Sequence, residues 1–239
     1  MKIMQLNIWG GKLGKQIKEL IAEEQPDVLC FQEVVKLPTH DTLFFTALAE
    51  FEALGYSSFF SPVFGFNLMK HKAEFGNAIL TKHALTETET VFTRKEYNSD
   101  MDMLDKDYNI RNLQHATINT GVDTVHILNH HGHHLHEHKN GDEETIRQCK
   151  LIADYVKTLT GNIVLCGDFN LSPSSASLAQ LNAQLINHCL ETNVATTRTS
   201  LTNKTEVCDY IFSSRNITVA RFEVLKQIVS DHAALILEY

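Results

Sequence analysis

Polar side chains stand at the ends of several apolar, strand-like segments of this sequence. A strand end holds a side chain rigidly at the rim of a sheet, where a ligand can reach it. Three of these residues, Glu33, Asp168 and Asp231, would together supply hard oxygen ligands that suit Mg²⁺ or Mn²⁺ better than zinc. The others are Asn7, Gln32, Asn170, Asp209, His131 and His232. A single aspartate of this kind is most often a turn former or a helix cap, but their recurrence in one chain favours a shared site.

The elements that position these side chains follow from the spacing of apolar residues. Residues 1–8 alternate as a strand, with Ile3, Gln5 and Asn7 on one face, and residues 27–33 form a second, buried strand. Helical spacing between the two strands predicts a strand, helix, strand opening.

Two helices are predicted in the first quarter of the chain. Residues 14–25 have apolar positions at helical spacing and are closed by Pro26. Residues 41–54 form the second helix, with Asp41 as its N-cap and Gly55 just beyond its end.

The middle of the chain is rich in β-branched and aromatic residues, which predicts a run of antiparallel strands. These segments are residues 56–64, 76–82, 86–93, 110–120 and 122–130. A helix over 142–159, a buried strand over 161–170 and a short helix after Pro173 follow, and the chain from Val207 onward is mostly strand. Strands in both halves, each accompanied by helices, predict two sheets packed face to face with helices outside.

Length and charge set broad limits. The chain has 239 residues, 43% of them hydrophobic, with no linker or repeat, which predicts one domain over residues 1–239. No signal-like or membrane-spanning stretch is present, so we expect a cytoplasmic monomer without a membrane span. A formal charge of −8 provides no global basic field, so nucleic acid would need a locally basic groove.

Seven motifs in order carry a resemblance to a known family. The series LNIWGG, FQEV, GNAIL, NHHG, GDFN, CDYIF and SDHAAL resembles the endonuclease/exonuclease/phosphatase superfamily, the fold of pancreatic deoxyribonuclease, nearly end to end. It looks more like the small prokaryotic and tyrosyl-DNA phosphodiesterase-like members than the large lipid phosphatases. The resemblance implies an α/β (α+β) fold, a four-layered α/β/β/α sandwich of two mainly antiparallel sheets flanked by helices. It also implies metal-dependent hydrolysis of a phosphate ester, with Mg²⁺ or Mn²⁺ as cofactor.

The resemblance further implies a role for each matching residue. Glu33 resembles the family's metal-binding glutamate, with Asn7 beside it on the metal or the phosphate and Asp231 as a further ligand. The resemblance assigns Asp168 and Asn170 to orienting the attacking water and holding a phosphoryl oxygen. His232, partnered by Asp209, would accept the proton of that water, because imidazole titrates near neutral pH.

The leaving oxygen also needs neutralising, and His131 is the candidate proton donor. The NHHG segment departs from the family's more usual NTH, so a slip of one residue would exchange His131 for His130. Strand alternation favours His131, because it falls on the same face as Asn129 unless a bulge intervenes.

Two substrate-binding candidates are less specific. Asn77, in GNAIL, lies near the site by resemblance, but a glycine followed by an amide is equally typical of a structural bulge. Arg111, in NIRNLQH, could meet a phosphate bidentately, although a surface arginine on a strand is commoner.

Other functions stay open on sequence alone. Phosphodiester hydrolysis is favoured, and a phosphomonoesterase or a sphingomyelinase-like lipid phosphodiesterase is the alternative on the same fold. The histidine tract NHHGHHLHEH, residues 129–138, could instead bind zinc or nickel, but its position in a loop would fix ligand geometry poorly. A non-catalytic binding module is the remaining alternative.

Overall fold

The computed structural model describes residues 1–38, 44–102, 104 and 107–239. Within them, twelve strands form two six-stranded sheets, with five α-helices beside them. The strands are β1 (Lys2–Asn7), β2 (Val28–Lys36), β3 (Ser57–Leu68), β4 (His71–Thr81), β5 (Ala84–Arg94), β6 (Arg111–Asn119), β7 (Thr124–His131), β8 (Asn162–Asp168), β9 (Ile186–Asn187), β10 (Asp209–Ser213), β11 (Arg221–Val224) and β12 (Leu235–Glu238). The helices are α1 (Gly14–Glu24), α2 (Ala47–Glu52), α3 (Glu143–Val156), α4 (Ala179–Gln184) and α5 (His188–Glu191).

The two sheets have related layouts. The first has the strand order β11-β12-β1-β2-β4-β3 and the second β5-β6-β7-β8-β10-β9. Strands β1 and β2 are parallel and are joined through α1, as β7 and β8 are parallel and joined through α3; the other neighbours are antiparallel. A parallel pair needs a long crossover, which explains the helix in each connection. The predicted sandwich of mainly antiparallel sheets flanked by helices is confirmed.

Strand β1 shows how the sequence separates the layers. Met4 and Leu6 pack in one apolar cluster with Ile17 and Leu20 of α1, so they face the outer helix. Ile3, on the alternate face, packs in the cluster that joins the two sheets. Each such buried side chain contributes roughly 1.5–3 kcal/mol of transfer free energy. The predicted alternation of β1 is therefore confirmed.

A row of buried amides crosses between the sheets, next to the apolar layer. Gln5 Nε2 donates to Gln32 Oε1 (2.8 Å), and Gln32 Nε2 donates to Asn129 Oδ1 of the other sheet (2.6 Å). Asn129 Nδ2 then donates to Gln114 Oε1 (2.9 Å). We call these four residues the amide row. On β1 the inward positions thus run from apolar Ile3 through the amide row to Asn7.

A bulge in β2 changes which way its last side chains point. The register between β2 and β4 shifts between Phe31 and Val34, so Gln32 and Glu33 together lie opposite Asn77. Glu33 has a φ of 57°, in the left-handed region. Strict alternation would send these two neighbours to opposite faces, whereas the bulge lets Gln32 join the amide row and Glu33 reach the rim of the same interface.

The second helix differs from its prediction. It begins at Ala47 and ends at Glu52, and the residue at its N-cap position is Thr46. The predicted N-cap, Asp41, lies outside the described residues. Gly55, with a φ of 89°, follows the helix as expected. Among the residues described, no helix is both long enough and apolar enough to cross a membrane.

Candidate active site

A cleft of about 210 Å³ opens at the rim where the inner faces of the two sheets meet. Seven of the predicted site residues line it: Glu33, Arg111, His131, Asp168, Asn170, Asp231 and His232. Asn7 and Asp209 lie directly behind this lining, hydrogen-bonded to Asp168 and His232 respectively. Strands of both sheets therefore bring together groups that are more than 200 residues apart in sequence.

A buried aspartate holds the imidazole of His232. The Nδ1–H of His232 donates to both carboxylate oxygens of Asp209, at 3.0 and 2.9 Å. Thr197 Oγ1 donates to Asp209 Oδ2 at 2.7 Å and fixes that carboxylate in turn. Since a carboxylate only accepts, the proton sits on Nδ1, and Nε2 faces the cleft 3.6 Å from Asp168 Oδ2.

Two effects compete for the protonation of His232. Burial disfavours the imidazolium, but Asp209 and Asp168 outweigh it and raise the pKa of His232 to about 9. Arg198 Nη1, which can only donate, contacts Nε2 and requires the neutral ring. The more negative charge Asp209 and Asp168 retain, the more His232 is protonated at neutral pH and the less it can act as a base.

Asn7 connects the carboxylates of the two sheets. Its Nδ2 donates to Glu33 Oε1 at 3.0 Å and to Asp168 Oδ2 at 3.1 Å. Its Oδ1 accepts from the backbone N–H of Trp9 at 3.0 Å, which ties the turn after β1 to the site. In this turn Trp9 has a φ of 51°. A Cβ on Gly11 would lie 2.6 Å from the Phe45 ring, so position 11 of the LNIWGG segment needs glycine.

The donor set of the cleft fits a hard divalent cation. Burial raises the pKa of Glu33, and the charges of Asp168 and Asp231 act in the same direction. The carboxylates of Glu33, Asp168 and Asp231 line the cleft and could offer oxygen ligands. The Asn7 oxygen, expected as a further ligand, faces the Trp9 N–H instead. Among the described residues, Asp168, Cys208, Asp209 and His232 also bring ligand atoms within 4.8 Å of one another. The oxygens of Asp209 already accept hydrogen bonds from His232 and Thr197, which leaves the carboxylates of Glu33, Asp168 and Asp231 as the groups that could hold a cation.

The two histidines at the end of β7 face opposite ways. In the parallel register, His131 is paired with Asp168, and its Nε2 lies 3.8 Å from Asp168 Oδ2 in the cleft. His130 faces away, where its Nδ1–H donates to the Asn112 carbonyl (2.9 Å) and its ring packs on Phe169. No register shift interrupts this part of β7, so its side chains alternate as predicted and His131 is the one that faces the cleft.

His131 is neutral in this environment. Burial and the charge of Arg111 hold its pKa well below 6.5, although Asp168 acts in the opposite direction. A neutral ring supplies an N–H donor but no readily transferred proton. Such a ring can donate a hydrogen bond to an oxygen in the cleft, and the acid role expected from the sequence stays a prediction.

The loop after β8 carries Asn170 at a φ of 55°. Its backbone N–H donates to Asp168 Oδ1 (3.0 Å), and Lys139 Nζ donates to its side-chain Oδ1 (2.6 Å). A Cβ on Gly132 would lie 2.3 Å from the Phe169 carbonyl oxygen, which explains the glycine of NHHG. GDFN and NHHG are thus packed against each other.

The weaker candidates differ in their positions. Arg111 is buried and braces the site: its Nε donates to the Gly132 carbonyl (2.7 Å) and its Nη2 to Asn109 Oδ1 (2.8 Å). Asn77 does not line the cleft, and its amide donates to Asn112 Oδ1 (2.9 Å), so its position connects the sheets rather than facing a substrate.

Several cleft residues lie outside the family motifs. Arg198 and Lys204 precede CDYIF, and His134 and His136 belong to the histidine tract. Within the described residues, the tract brings no third ligand within 4.8 Å of a pair, so the structure gives the zinc or nickel alternative no complete ligand set. Only the basic and titratable side-chain types of these residues could have indicated them in advance.

Comparison with known proteins shows which family this chain belongs to. A model of the endonuclease/exonuclease/phosphatase family matches residues 4–232. The chain belongs to this family. Family members are metal-dependent hydrolases that act on phosphoester bonds. No curated protein sequence matches the chain significantly.

Solved structures share the fold at low identity. A family member from Leptotrichia buccalis superposes with a TM-score of 0.72 at 19% identity, covering 100% of this chain and 98% of its own. The mannosyl-6-phosphatase of Bacteroides thetaiotaomicron gives 0.71 at 16%, with 100% and 98% covered. D. rerio TDP2 in complex with a single-stranded DNA product gives 0.70 at 16%, with 99% and 97% covered. Such identities establish the fold alone.

Proposed function

We propose that this protein hydrolyses a phosphodiester with the help of Mg²⁺ or Mn²⁺, by in-line attack of a water that His232 deprotonates. The observation that supports the proposal best is the pairing of His232 with buried Asp209 beside the carboxylates of Glu33 and Asp168 in one cleft. A non-catalytic binding module has no need for this arrangement.

Asp209 and His232 form the water-activating pair. The carboxylate keeps the proton of the ring on Nδ1, which leaves Nε2 to accept a proton from water, and it stabilises the imidazolium that results. Arg198 contacts Nε2 in the structure, so its guanidinium would have to leave this position before a water could occupy it.

Glu33, Asp168 and Asp231 would hold the cation, and Asn7 would orient the first two of these carboxylates through its N–H donors. The chemistry that such a cation supplies is charge neutralisation, both of the carboxylates that raise the pKa of His232 and of the phosphoryl oxygens. His131 and Asn170 would donate hydrogen bonds to the substrate, His131 from its neutral ring and Asn170 from its amide.

Hydrolysis of a phosphomonoester is the second candidate. Arg198 is buried beside the cleft, its Nε has no hydrogen-bond partner among the described residues, and Lys204 adds a further cation. Extra positive charge suits the dianion of a monoester. The mannosyl-6-phosphatase shows that a phosphatase can have this fold. TDP2, which has the same fold, was solved with a single-stranded DNA product.

A hydrolysis panel tests the proposal and separates the two candidates. It compares bis-p-nitrophenyl phosphate, p-nitrophenyl phosphate, sugar phosphates, sphingomyelin and single-stranded DNA, with Mg²⁺, Mn²⁺ or chelator. We expect chelator-sensitive hydrolysis of at least one diester, reduced at least about a hundredfold in Asp209→Asn and unchanged in Asp154→Asn on the exposed face of α3. Hydrolysis of monoesters alone would favour the second candidate, and no metal-dependent activity would refute both.

A further inference from the structure

The loop that carries the histidine tract returns to the site at its far end. It leaves the cleft at His131 and runs to α3, and Lys139 lies near its end. The Lys139 carbonyl accepts from the backbone N–H of Ser172 at 2.7 Å, and Ser175 Oγ donates to the Asn140 carbonyl at 2.7 Å. Two hydrogen bonds thus fix this part of the loop to the segment that follows GDFN.

Lys139 is a buried lysine with one specific partner. The residue is only 8% exposed, and its Nζ donates to Asn170 Oδ1 at 2.6 Å. Burial lowers the pKa of Lys139, while the charge of Asp168 opposes this. Desolvating an ammonium is costly, so a lysine placed here needs a compensating contact.

The chemistry of this contact fixes the orientation of the Asn170 amide. An ammonium group has three donors and no acceptor, so only the oxygen of the amide can face it. The NH₂ group must then point the other way. One of its N–H groups donates to the Gly132 carbonyl at 3.5 Å. Asn170 lines the cleft and Lys139 does not, so the amide turns its remaining N–H donor, and not its oxygen, toward a bound phosphate.

We propose that Lys139 is a positioning residue that holds the Asn170 amide with an N–H donor toward the phosphoryl group. The inference rests on the phosphoester hydrolysis proposed above. The histidine-rich loop would then have a function that does not depend on its histidines. It places the Lys139 ammonium group behind the Asn170 amide. Without Lys139 the amide can flip and turn an acceptor toward an anion, which repels it.

A double-mutant cycle tests whether Lys139 acts through Asn170. The variants are Lys139→Met, Asn170→Ala and the double variant, with Lys150→Met on exposed α3 as the control. We expect Lys139→Met to lower kcat at least about tenfold, since a lost transition-state donor typically costs a hundredfold or more. The double variant should match Asn170→Ala within about twofold, because the two residues form one unit. Independent losses that multiply would overturn the proposal, as would an unchanged kcat in Lys139→Met.

Lys139→Arg provides the rescue arm. It keeps a cationic donor and should retain more of kcat than Lys139→Met at equal thermal stability. A residue that only stabilises the loop would show losses of kcat that follow the loss of Tm in all variants, and this would count against the positioning role.

Nitrogen-15 NMR of the whole protein separates this proposal from the proposed function. The Lys139 ammonium signal should exchange slowly in the wild type and disappear into fast exchange in Asn170→Ala, and the Asn170 amide signals should shift in Lys139→Met. These spectra need no turnover, so they test the contact between Lys139 and Asn170 even if no substrate is hydrolysed. The first spectrum needs only Asn170→Ala, so the test remains possible if Lys139→Met does not fold. Unmoved signals would refute it.

Discussion

The amide nitrogen of Asn7 lies 3.1 Å from Asp168 Oδ2, so the last residue of β1 is hydrogen-bonded to the last residue of β8 in the opposite sheet. The same nitrogen reaches Glu33 on β2. One side chain therefore joins two strand ends and the bulge of β2 at the rim of the cleft. The position of the proposed cation thus depends on how the sheets are placed against each other.

Glu33→Gln should weaken binding of the cation without disturbing the fold. The substitution keeps the size of the side chain but removes the negative charge that buried oxygen ligands supply. We expect binding of Mn²⁺, measured by calorimetry, to weaken at least about tenfold and hydrolysis to fall with it. Glu23→Gln, on the exposed face of α1, is the control. Equal Mn²⁺ affinity in the two variants would place the cation elsewhere.

His131→Ala and His130→Gln should differ in activity. His131 lines the cleft, whereas His130 faces away from it. We expect His131→Ala to lose at least about tenfold in kcat/KM and His130→Gln to stay close to the wild type, since only the first removes a donor beside the reacting group. The reverse result in steady-state kinetics would show that the roles of the two histidines are exchanged.

His130 should make the fold sensitive to acid. Burial lowers its pKa to about 4, although the Asn112 carbonyl opposes this shift. A lowered folded-state pKa means that the unfolded chain binds the proton first, so stability is present above pH 6.5 and is lost as the pH falls through about 4. The loss amounts to at most about 3 kcal/mol. Urea unfolding between these pH values should show a steeper decline for the wild type than for His130→Gln, and parallel curves would contradict the assignment.

The amide row should be sensitive to truncation. Asn129→Ala removes four hydrogen bonds between buried groups. It takes the closer acceptor from Gln32 Nε2 and the donor from Gln114 Oε1. We expect the free energy of unfolding to fall by about 2–4 kcal/mol, because unpaired buried polar groups are costly. Asn203→Ala, at an exposed position, should be neutral. A similar change for both in denaturant unfolding would show that the row adds little stability.

Much of the site could be predicted because strand ends are recognisable in the sequence. Apolar strands that end at Asn7 and Asp168, and one that begins at Asp209, meet at one rim once the two sheets pack. The alternation of β7 selected His131. The family motifs added the order of these elements. Each of these inferences depends on local periodicity, which the sequence shows directly.

The rest depends on contacts that no local pattern contains. The period of two puts Glu33 on the wrong face, because a bulge cannot be read from FQEV alone. Lys139 is one charged residue in a polar loop until Asn170 is placed beside it. The amide row consists of single polar residues on four strands, and only their packing shows that they bond to each other.

The left-handed bulge at Glu33 has a consequence for transplanting this chemistry. A regular strand of another protein given the same glutamate would point it into its own outer layer. A designer who copies the site must therefore copy the extra residue of β2 and its left-handed backbone with it.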